Sequence, residues 1–581
     1  MRWKNQVGDA RGKNMSKKTE KWLERLLPVL LVVILYFVCA GRGGFFYSSN
    51  DDSMLTDILS GSYSGKPDAH DIYHIYPLAA VFAVLYKLFP EIPWYGGGLI
   101  LTQFVCLYLI GYRAIRFAET WKEKLATSAL ALTFSAVLFL SEIQLIQYTM
   151  TSALLAATAI FLLVTEQERS PGIVVILYVY SCLLRFQMGL LLCPFLLTAC
   201  FYRWVCSEHK KKTFLYYLSV AGAIFGILAI CLFVHKIAYR GEDWQAFEEF
   251  NQVRTDIYDF GTIPAYDTNE ELYRKLSVDR REQFLLEKWS FSLSDKWNTE
   301  TLNEVNLYQK ELGSYQYTYQ YLARSLLKVL QQYTFGISSS FGIVLYAMLA
   351  VFVLLCIYHK KSWILLFGSL AFIASHVVCW EYLVWRNRMP ERVTNGLYLV
   401  EAALLIGMCA RILLRNKEKK QFLRPAMYSV VLVLTIVLFA IKFPVTGDEI
   451  EKTAQEAQEN TKVQEYCRER GSQFYILDTI SFATAKEKIA GGSRPENLTI
   501  CGAWTVNSPV YVQKLEKYIA ADSLQQGLSS GRVSFIAAED RDVFWLEDYL
   551  ASLDGNYRLV QTDKVVTQTG NDYLVYDIVS E

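Results

Sequence analysis

The stretch DIYHIYPLAAVFAVLYKLF, residues 71–89, is the centre of an apolar run around 72–90 whose reading decides the fold. By hydropathy alone it passes for a membrane span. Its uninterrupted apolar core, Leu78 to Tyr86, falls short of the roughly 20 residues a helix needs to cross about 30 Å of hydrocarbon. Pro77 suits the first turn of a helix, where its missing N–H leaves no bond unmade. The segment therefore reads as an interfacial helix lying on the outer face of a membrane. Counted as a span, it would put the loop of Arg113, Arg116, Lys122 and Lys124 outside and reverse every later loop.

On either side of it, long apolar runs appear at about 23–40, 94–112, 124–141, 144–165, 172–188, 189–206, 214–235, 338–358, 362–380, 393–414 and 424–443. Of the 581 residues, 53% are hydrophobic and only 20% charged, against roughly 25% charged in soluble domains. With 58 Lys and Arg against 57 Asp and Glu, the net charge of +1 excludes a disordered chain and a basic nucleic-acid binder. The expected fold class is a polytopic α-helical membrane protein with about eleven transmembrane helices.

Sidedness follows from the basic loops. Arg2, Lys4, Arg11, Lys13, Lys17, Lys18, Lys21 and Arg25 precede the first run, which is too long for a cleavable signal and lacks a small-residue cleavage site. The N-terminus is expected in the cytoplasm, whether the chain starts at Met1 or Met15. With 72–90 kept out of the count, the loops Arg113–Lys124, Arg203 with Lys210–Lys212, Lys360–Lys361 and Arg411–Arg424 also fall inside. The turn with Glu166, Glu168 and Arg169 is uninformative. A multi-pass protein of the plasma membrane is expected, its C-terminus outside.

The chain divides into a cytoplasmic segment 1–22, a membrane domain 23–443 and an extracytoplasmic domain 444–581. The membrane domain carries two outer loops, 41–93 with juxtamembrane helices and 236–337, which reads mostly helical with Trp244, Trp289 and Trp297. The tail alternates helical stretches (Glu449–Arg470, Val510–Ala520, Val543–Leu553) with β-rich runs (Phe474–Leu477, Leu498–Cys501, Val533–Ala537, Tyr557–Val566, Tyr573–Val579), the pattern of a small α/β domain. Cys467 and Cys501 lie in this tail and pair only if the fold brings them together.

Four places hold residues suited to chemistry. Asp51 and Asp52, in FFYSSNDDSMLTDILSG, follow the first span. They read either as carboxylates at a helix's positive end or as a general base or divalent-cation ligand (Mg or Mn) at the lipid surface. His70 and His74 follow in the same loop, with a bland interfacial role as the plainer reading. Arg185, in SCLLRFQMG, has apolar residues for about ten positions on either side. A guanidinium inside a span costs at least roughly 2.5–3.5 kcal/mol, so Arg185 either snorkels to the interface or binds an anion, with Gly189 marking the outer turn. In WEYLVWRNRMPERV, Arg386, Arg388 and Arg392 make the one strongly basic short outer loop, suited to bidentate phosphate recognition or to pairing with Glu381 and Glu391. Glu142 sits at the outer turn between the third and fourth spans, as a site wall or a solvated turn residue. Walker, GxGxxG, GxSxG and HExxH motifs are missing.

The organisation of residues 23–165 resembles the GT-C superfamily of membrane glycosyltransferases, such as aminoarabinose transferases and protein O-mannosyltransferases. In the comparison, Asp51-Asp52 takes the place of the family's acidic motif, DSMLTDILSG the first juxtamembrane helix, and the 72–90 segment the second. The family often has an Asp at the outer turn of spans three and four; IQYTMTS has none, and Glu142 is a loose substitute. Some bacterial surface-polysaccharide proteins of unassigned activity look similar, with an RxPERV-like outer segment. The resemblance implies a sugar donor on a polyprenyl phosphate carrier, and transfer to a glycan, lipid or protein acceptor on the outer face. Asp51 or Asp52 would be the catalytic base. Arg185, Arg386, Arg388 and Arg392, with Glu142, His70 and His74, would hold the lipid phosphate and the sugar, and aromatics of the 236–337 loop would stack on sugar faces. A lipid-linked oligosaccharide polymerase or ligase, and a non-enzymatic polysaccharide transporter or assembly protein, remain alternatives.

Overall fold

The structure, a computed structural model, describes residues 17–165, 171–312, 319–335, 339–358, 362–386, 388–415, 420–491 and 494–580. Most of the basic N-terminal segment with both candidate starts, the Glu166–Arg169 turn, the Lys360–Lys361 pair and part of the Arg411–Arg424 loop lie outside the described residues.

Every apolar run of the sequence folds as a helix. The chain enters through α1 (Lys17–Gly41), the short strand β1 (Phe46–Tyr47) and the helices α2 (Asn50–Ser60) and α3 (Tyr76–Leu88). It continues as α4 (Trp94–Ile115), α5 (Trp121–Gln144), β2 (Leu145–Ile146), α6 (Tyr148–Thr165), α7 (Pro171–Leu184), α8 (Phe186–Val205) and α9 (Lys210–Ala238). Between α9 and the next long apolar helix lie α10 (Glu242–Thr255), α11 (Glu270–Lys275), α12 (Arg280–Glu287), α13 (Thr299–Leu312) and α14 (Tyr319–Phe335). The membrane helices α15 (Ser340–Tyr358), α16 (Ser362–Trp385) and α17 (Glu391–Arg415) follow, then α18 (Lys420–Glu469), which carries the chain across the boundary placed at 443–444.

Among the described residues, eight helices are long and apolar enough to cross a bilayer, and the bent pair within α18 makes a ninth. The 14-residue α7 and the segment Ser340–Cys356 are apolar but shorter. Buried along its whole length, α6 forms the centre of the bundle against α4, α7, α8 and α17. Small side chains such as Ala153, Ala156 and Ala157 let those neighbours approach. The outer faces of α1 and α9 expose Phe37, Ile230 and Phe233, as lipid-facing helices do.

With 13 residues, α3 reaches only about 20 Å. It does not cross. Ala79, Phe82, Ala83 and Tyr86 are buried, while Val81, Val84 and Leu88 share an exposed apolar face at helical spacing.

One expectation needs correction. The turn between the fifth and sixth apolar runs is at Arg185, not Gly189. Arg185 has an extended backbone (φ −151°, ψ 95°) and α8 begins immediately after it. Gly189 lies inside α8, where a Cβ would meet Cys182 Sγ at 2.4 Å; its missing side chain lets α8 close on α7.

The tail forms the α/β domain. Its strands are β3 (Phe474–Leu477), β4 (Glu487–Lys488), β5 (Leu498–Ile500), β6 (Val533–Ala538), β7 (Tyr557–Val565) and β8 (Tyr573–Ser580). Its helices are α19 (Thr479–Phe482), α20 (Pro509–Ile519), α21 (Leu524–Gly527) and α22 (Phe544–Ala551). The main sheet runs β5-β3-β6-β8-β7, with β5, β3 and β6 parallel and the last two antiparallel. Cys467 and Cys501 are buried and both free.

This domain is joined to the segment between α1 and α2, and to that between α5 and α6, through a second sheet. β1 pairs in parallel with β2 and antiparallel with β4 of the tail. The loop around α2, the helices α10–α13 and the tail thus lie together at one end of the bundle. The Arg113–Lys124 and Arg203–Lys212 loops lie at the other ends of their helices.

Candidate functional site

The site is built on α2. Asn-Asp-Asp-Ser puts Asp51 and Asp52 in the first turn, at the positive end of the helix, and successive helical positions point in different directions. Asp52 faces inward and has no exposure. It accepts hydrogen bonds from Ser49 Oγ (2.9 Å), Tyr95 OH (3.0 Å) and the Tyr148 backbone N–H (3.2 Å), so it ties α2 to the first turns of α4 and α6. Asp51 faces outward, part-exposed, with its Oδ2 3.9 Å from Arg392 Nη2.

Burial pushes the Asp52 carboxyl up from 3.8 to about 7. The folded chain then holds this proton more tightly than the unfolded chain. Its stability is expected to fall as pH rises between 3.8 and about 7, and the penalty is complete above that window. Thermal unfolding of Asp52→Asn and parent protein across this range reads the effect: the variant should lack that part of the decline.

Around Asp51 gather groups from distant parts of the chain. Arg185, at the break between α7 and α8, lies 5.0 Å over the Tyr73 ring and 5.3 Å over that of Tyr148. Its Nη1 is buried without a hydrogen-bond partner among the described residues. The charges of Asp51 and Asp259 act on it. Asp259, in a π-helical turn after α10, ion-pairs with Arg388. Arg386 and Arg388 lie over the Phe260 ring at 3.9 and 5.4 Å. Arg254 is buried and anchored by Asn251 Oδ1 at 2.8 Å. Tyr73 is the common neighbour: burial raises its hydroxyl to about 12, Asp51 and Asp259 add to the shift, and Arg254 and Arg185 oppose it. Trp504 of the tail lies beside them, edge-on to Tyr73 at 4.6 Å. The result is a cluster where arginines outnumber aspartates.

Of the sequence candidates, Asp51, Arg185, Arg386, Arg388 and Arg392 come together here, and Asp52 lies directly behind. His74 is buried, with Nδ1 2.5 Å from Asp71 Oδ2 and its ring edge-on to Tyr95 and Tyr148; it braces two of the three residues that bond Asp52. His70 faces elsewhere, 2.7 Å from Asp68 and stacked on Trp244 at 4.9 Å. Glu142 pairs with Lys442 at 3.4 Å. Trp297 is core, Trp244 is occupied by His70, and Trp289 packs on Tyr258 at 4.0 Å.

Every recorded polar neighbour of Asp52 is an O–H or N–H donor, and the nearest partner of Asp51 is a cation. Among the described residues no three His, Cys, Asp or Glu side chains are placed to ligate an ion.

Sequence reading missed Tyr73 in the first loop, Tyr95 at the start of α4, Arg254 and Asp259 in and just after α10, and Trp504 in the tail. It also missed a buried ionic junction beside this cluster. Arg494 Nη1 lies 3.2 Å from Asp57 Oδ2 on α2, and Arg494 Nε donates to Glu487 Oε1 at 3.0 Å. Lys486 donates to the Ser48 carbonyl, and Tyr63 OH donates to Thr505 Oγ1 at 2.8 Å. The signal available was Asp57 itself, a carboxylate on the apolar face of DSMLTDIL.

No protein-family description matches this sequence, and no curated protein does. Two solved structures are similar in fold. One is the crystal structure of ArnT from Cupriavidus metallidurans bound to undecaprenyl phosphate, 12% identical with a TM-score of 0.40. The other is ArnT from the same organism in the apo state, 11% identical with a TM-score of 0.41. In both cases 96% of this chain and 98% of the other are covered.

Proposed function

We propose that this protein is a membrane glycosyltransferase of the GT-C kind, moving a sugar from a polyprenyl-phosphate carrier to a hydroxyl-bearing acceptor at the outer surface of the plasma membrane. The single observation that carries the reading is Arg185: a guanidinium between two membrane helices, with an unpartnered buried N–H group, in a cluster that also holds a part-exposed aspartate. Such a cation is costly in hydrocarbon and worthwhile where a lipid presents phosphate at headgroup depth.

In the proposed step, Asp51 takes the proton of the acceptor hydroxyl as its oxygen bonds to the anomeric carbon. The bond from that carbon to the phosphate oxygen breaks, and polyprenyl phosphate leaves with the electron pair. Single displacement inverts the anomeric centre. Arg185, Arg392 and Arg388 stabilise the charge that grows on the leaving phosphate. A predominantly apolar cavity of about 310 Å³ among α4, α5, α6, α15, α17 and α18, lined by Phe134, Phe139, Phe341 and Met348, would receive part of the isoprenoid chain.

The test is binding of undecaprenyl phosphate to the purified protein in nanodiscs. Arg185→Gln should weaken it by about 10–100-fold, the range for losing hydrogen bonds to a charged group. Unchanged affinity would remove Arg185 from the phosphate site.

A further inference from the structure

The tail has a crevice that the transfer step leaves unused. Its three parallel strands lie in the order β5-β3-β6, so the chain goes from β3 to one side and returns to the other. In open α/β sheets, ligands sit outside the carboxyl ends of the strands at such a reversal. The carboxyl ends of β3 and β6 open there onto a cavity of about 440 Å³, walled by Ser481 and Thr484 after β3, Asp540 after β6, Asn460 of α18, and Asn571 with Tyr573 at the start of β8.

The lining sets the chemistry. Glu459 accepts from Asn571 Nδ2 at 2.9 Å, and Glu539 and Asp572 both pair with Lys564. Asp540 and Thr484 remain at the exposed rim. Burial and the charges of Glu459, Glu456 and Asp540 raise the Tyr573 hydroxyl to about 12, which places that phenol in a negative field. The crevice offers acceptors, a few amide and hydroxyl groups and one aromatic ring. Anions are repelled from it; hydroxyl and ammonium donors are not.

A small void adjoins it. Asn460 and Ala485 line both the crevice and that void, whose wall includes Asn50, the residue before Asp51. The void, about 10 Å³, is of the order that holds one water.

We infer that this crevice is a saccharide-binding site apart from the transfer centre, taking a sugar that bears hydroxyl or amino groups and no negative charge.

The experiment titrates the full-length protein in nanodiscs with three probes: maltotetraose, a glucosamine tetrasaccharide and a galacturonate tetrasaccharide. The first two should bind and the third should not. Thr484→Trp, which fills the crevice, and Asp540→Arg, which reverses its rim charge, should each weaken binding at least about tenfold, a change of about 1.4 kcal/mol. Thermal unfolding of both variants serves as the folding check. Galacturonate binding as tightly as the others, affinity untouched by both variants, or no binding by the first two probes overturns the inference. Undecaprenyl phosphate binding in the same samples separates the two readings. Saccharide binding without lipid binding keeps the crevice and removes the transferase; lipid binding without saccharide binding does the reverse.

Discussion

Asp51→Asn is expected to lower kcat for sugar transfer by about 10²–10⁴, the usual contribution of a positioned general base. The neighbour's identity makes this test sharp. Asn at 51 keeps the size and the helical position while losing the ability to take a proton. The contact to Arg392 is long, 3.9 Å, and partly solvated, so little stability should go with it. Undecaprenyl phosphate should bind the variant at least as well as the parent, since one negative charge leaves an anion site. Asp52→Asn should behave differently. Its carboxylate is enclosed by Ser49, Tyr95 and Tyr148, so an amide there disturbs the seating of α2 and changes KM, kcat and stability together. Equal activity of Asp51→Asn and parent, measured with a polyprenyl-phosphate sugar, would sink the base assignment.

The second large effect is on stability. Arg494→Met leaves Asp57 and Glu487 facing each other without their shared cation, and Asp57 is buried. Removing one partner of a buried ionic group typically costs about 3–5 kcal/mol. Urea unfolding of the full chain, followed by tryptophan fluorescence, is the measurement. Combining Arg494→Met with Asp57→Leu should recover part of the loss, because no charge then stays buried and unpaired on α2. The same junction bears on catalysis. β4 pairs with β1 just before α2, and Arg494 holds α2 at Asp57; the tail thus grips the Asp51 helix at both ends. A loss under about 1 kcal/mol, the level of exposed pairs, would mean that the junction holds nothing.

How much of this was legible follows from what each signal measures. The membrane helices were readable because hydrocarbon thickness and backbone hydrogen bonding set one length and one composition for a span. The five main strands of the tail were readable by their β-rich runs. The arginines of the RNRMPER loop and Arg185 stood out because charge is rare in their surroundings. Asp259 and Arg254 did not stand out. They lie in α10 and the turn after it, where many neighbours are charged, and only packing separates them from Glu248 or Asp256. The aromatic residues of that loop were expected as sugar platforms. Most instead fill the loop's own core or stack on His70, since large rings are also what buries area most effectively.

Position also misled at Gly189. A glycine between apolar runs suits a turn, yet here it serves a close helix crossing, and the reversal falls on Arg185.

By itself the sequence determined a many-helix membrane protein, the short apolar helix within 72–90 and the tail's alternation of helix and strand, because those depend on local composition and on element length. Only the tertiary structure decided which of two adjacent aspartates faces Arg392, that Asp259 and Tyr73 join the same cluster, and that the tail is fastened to α2. Those contacts join residues hundreds of positions apart, and no local pattern records a partner that distant.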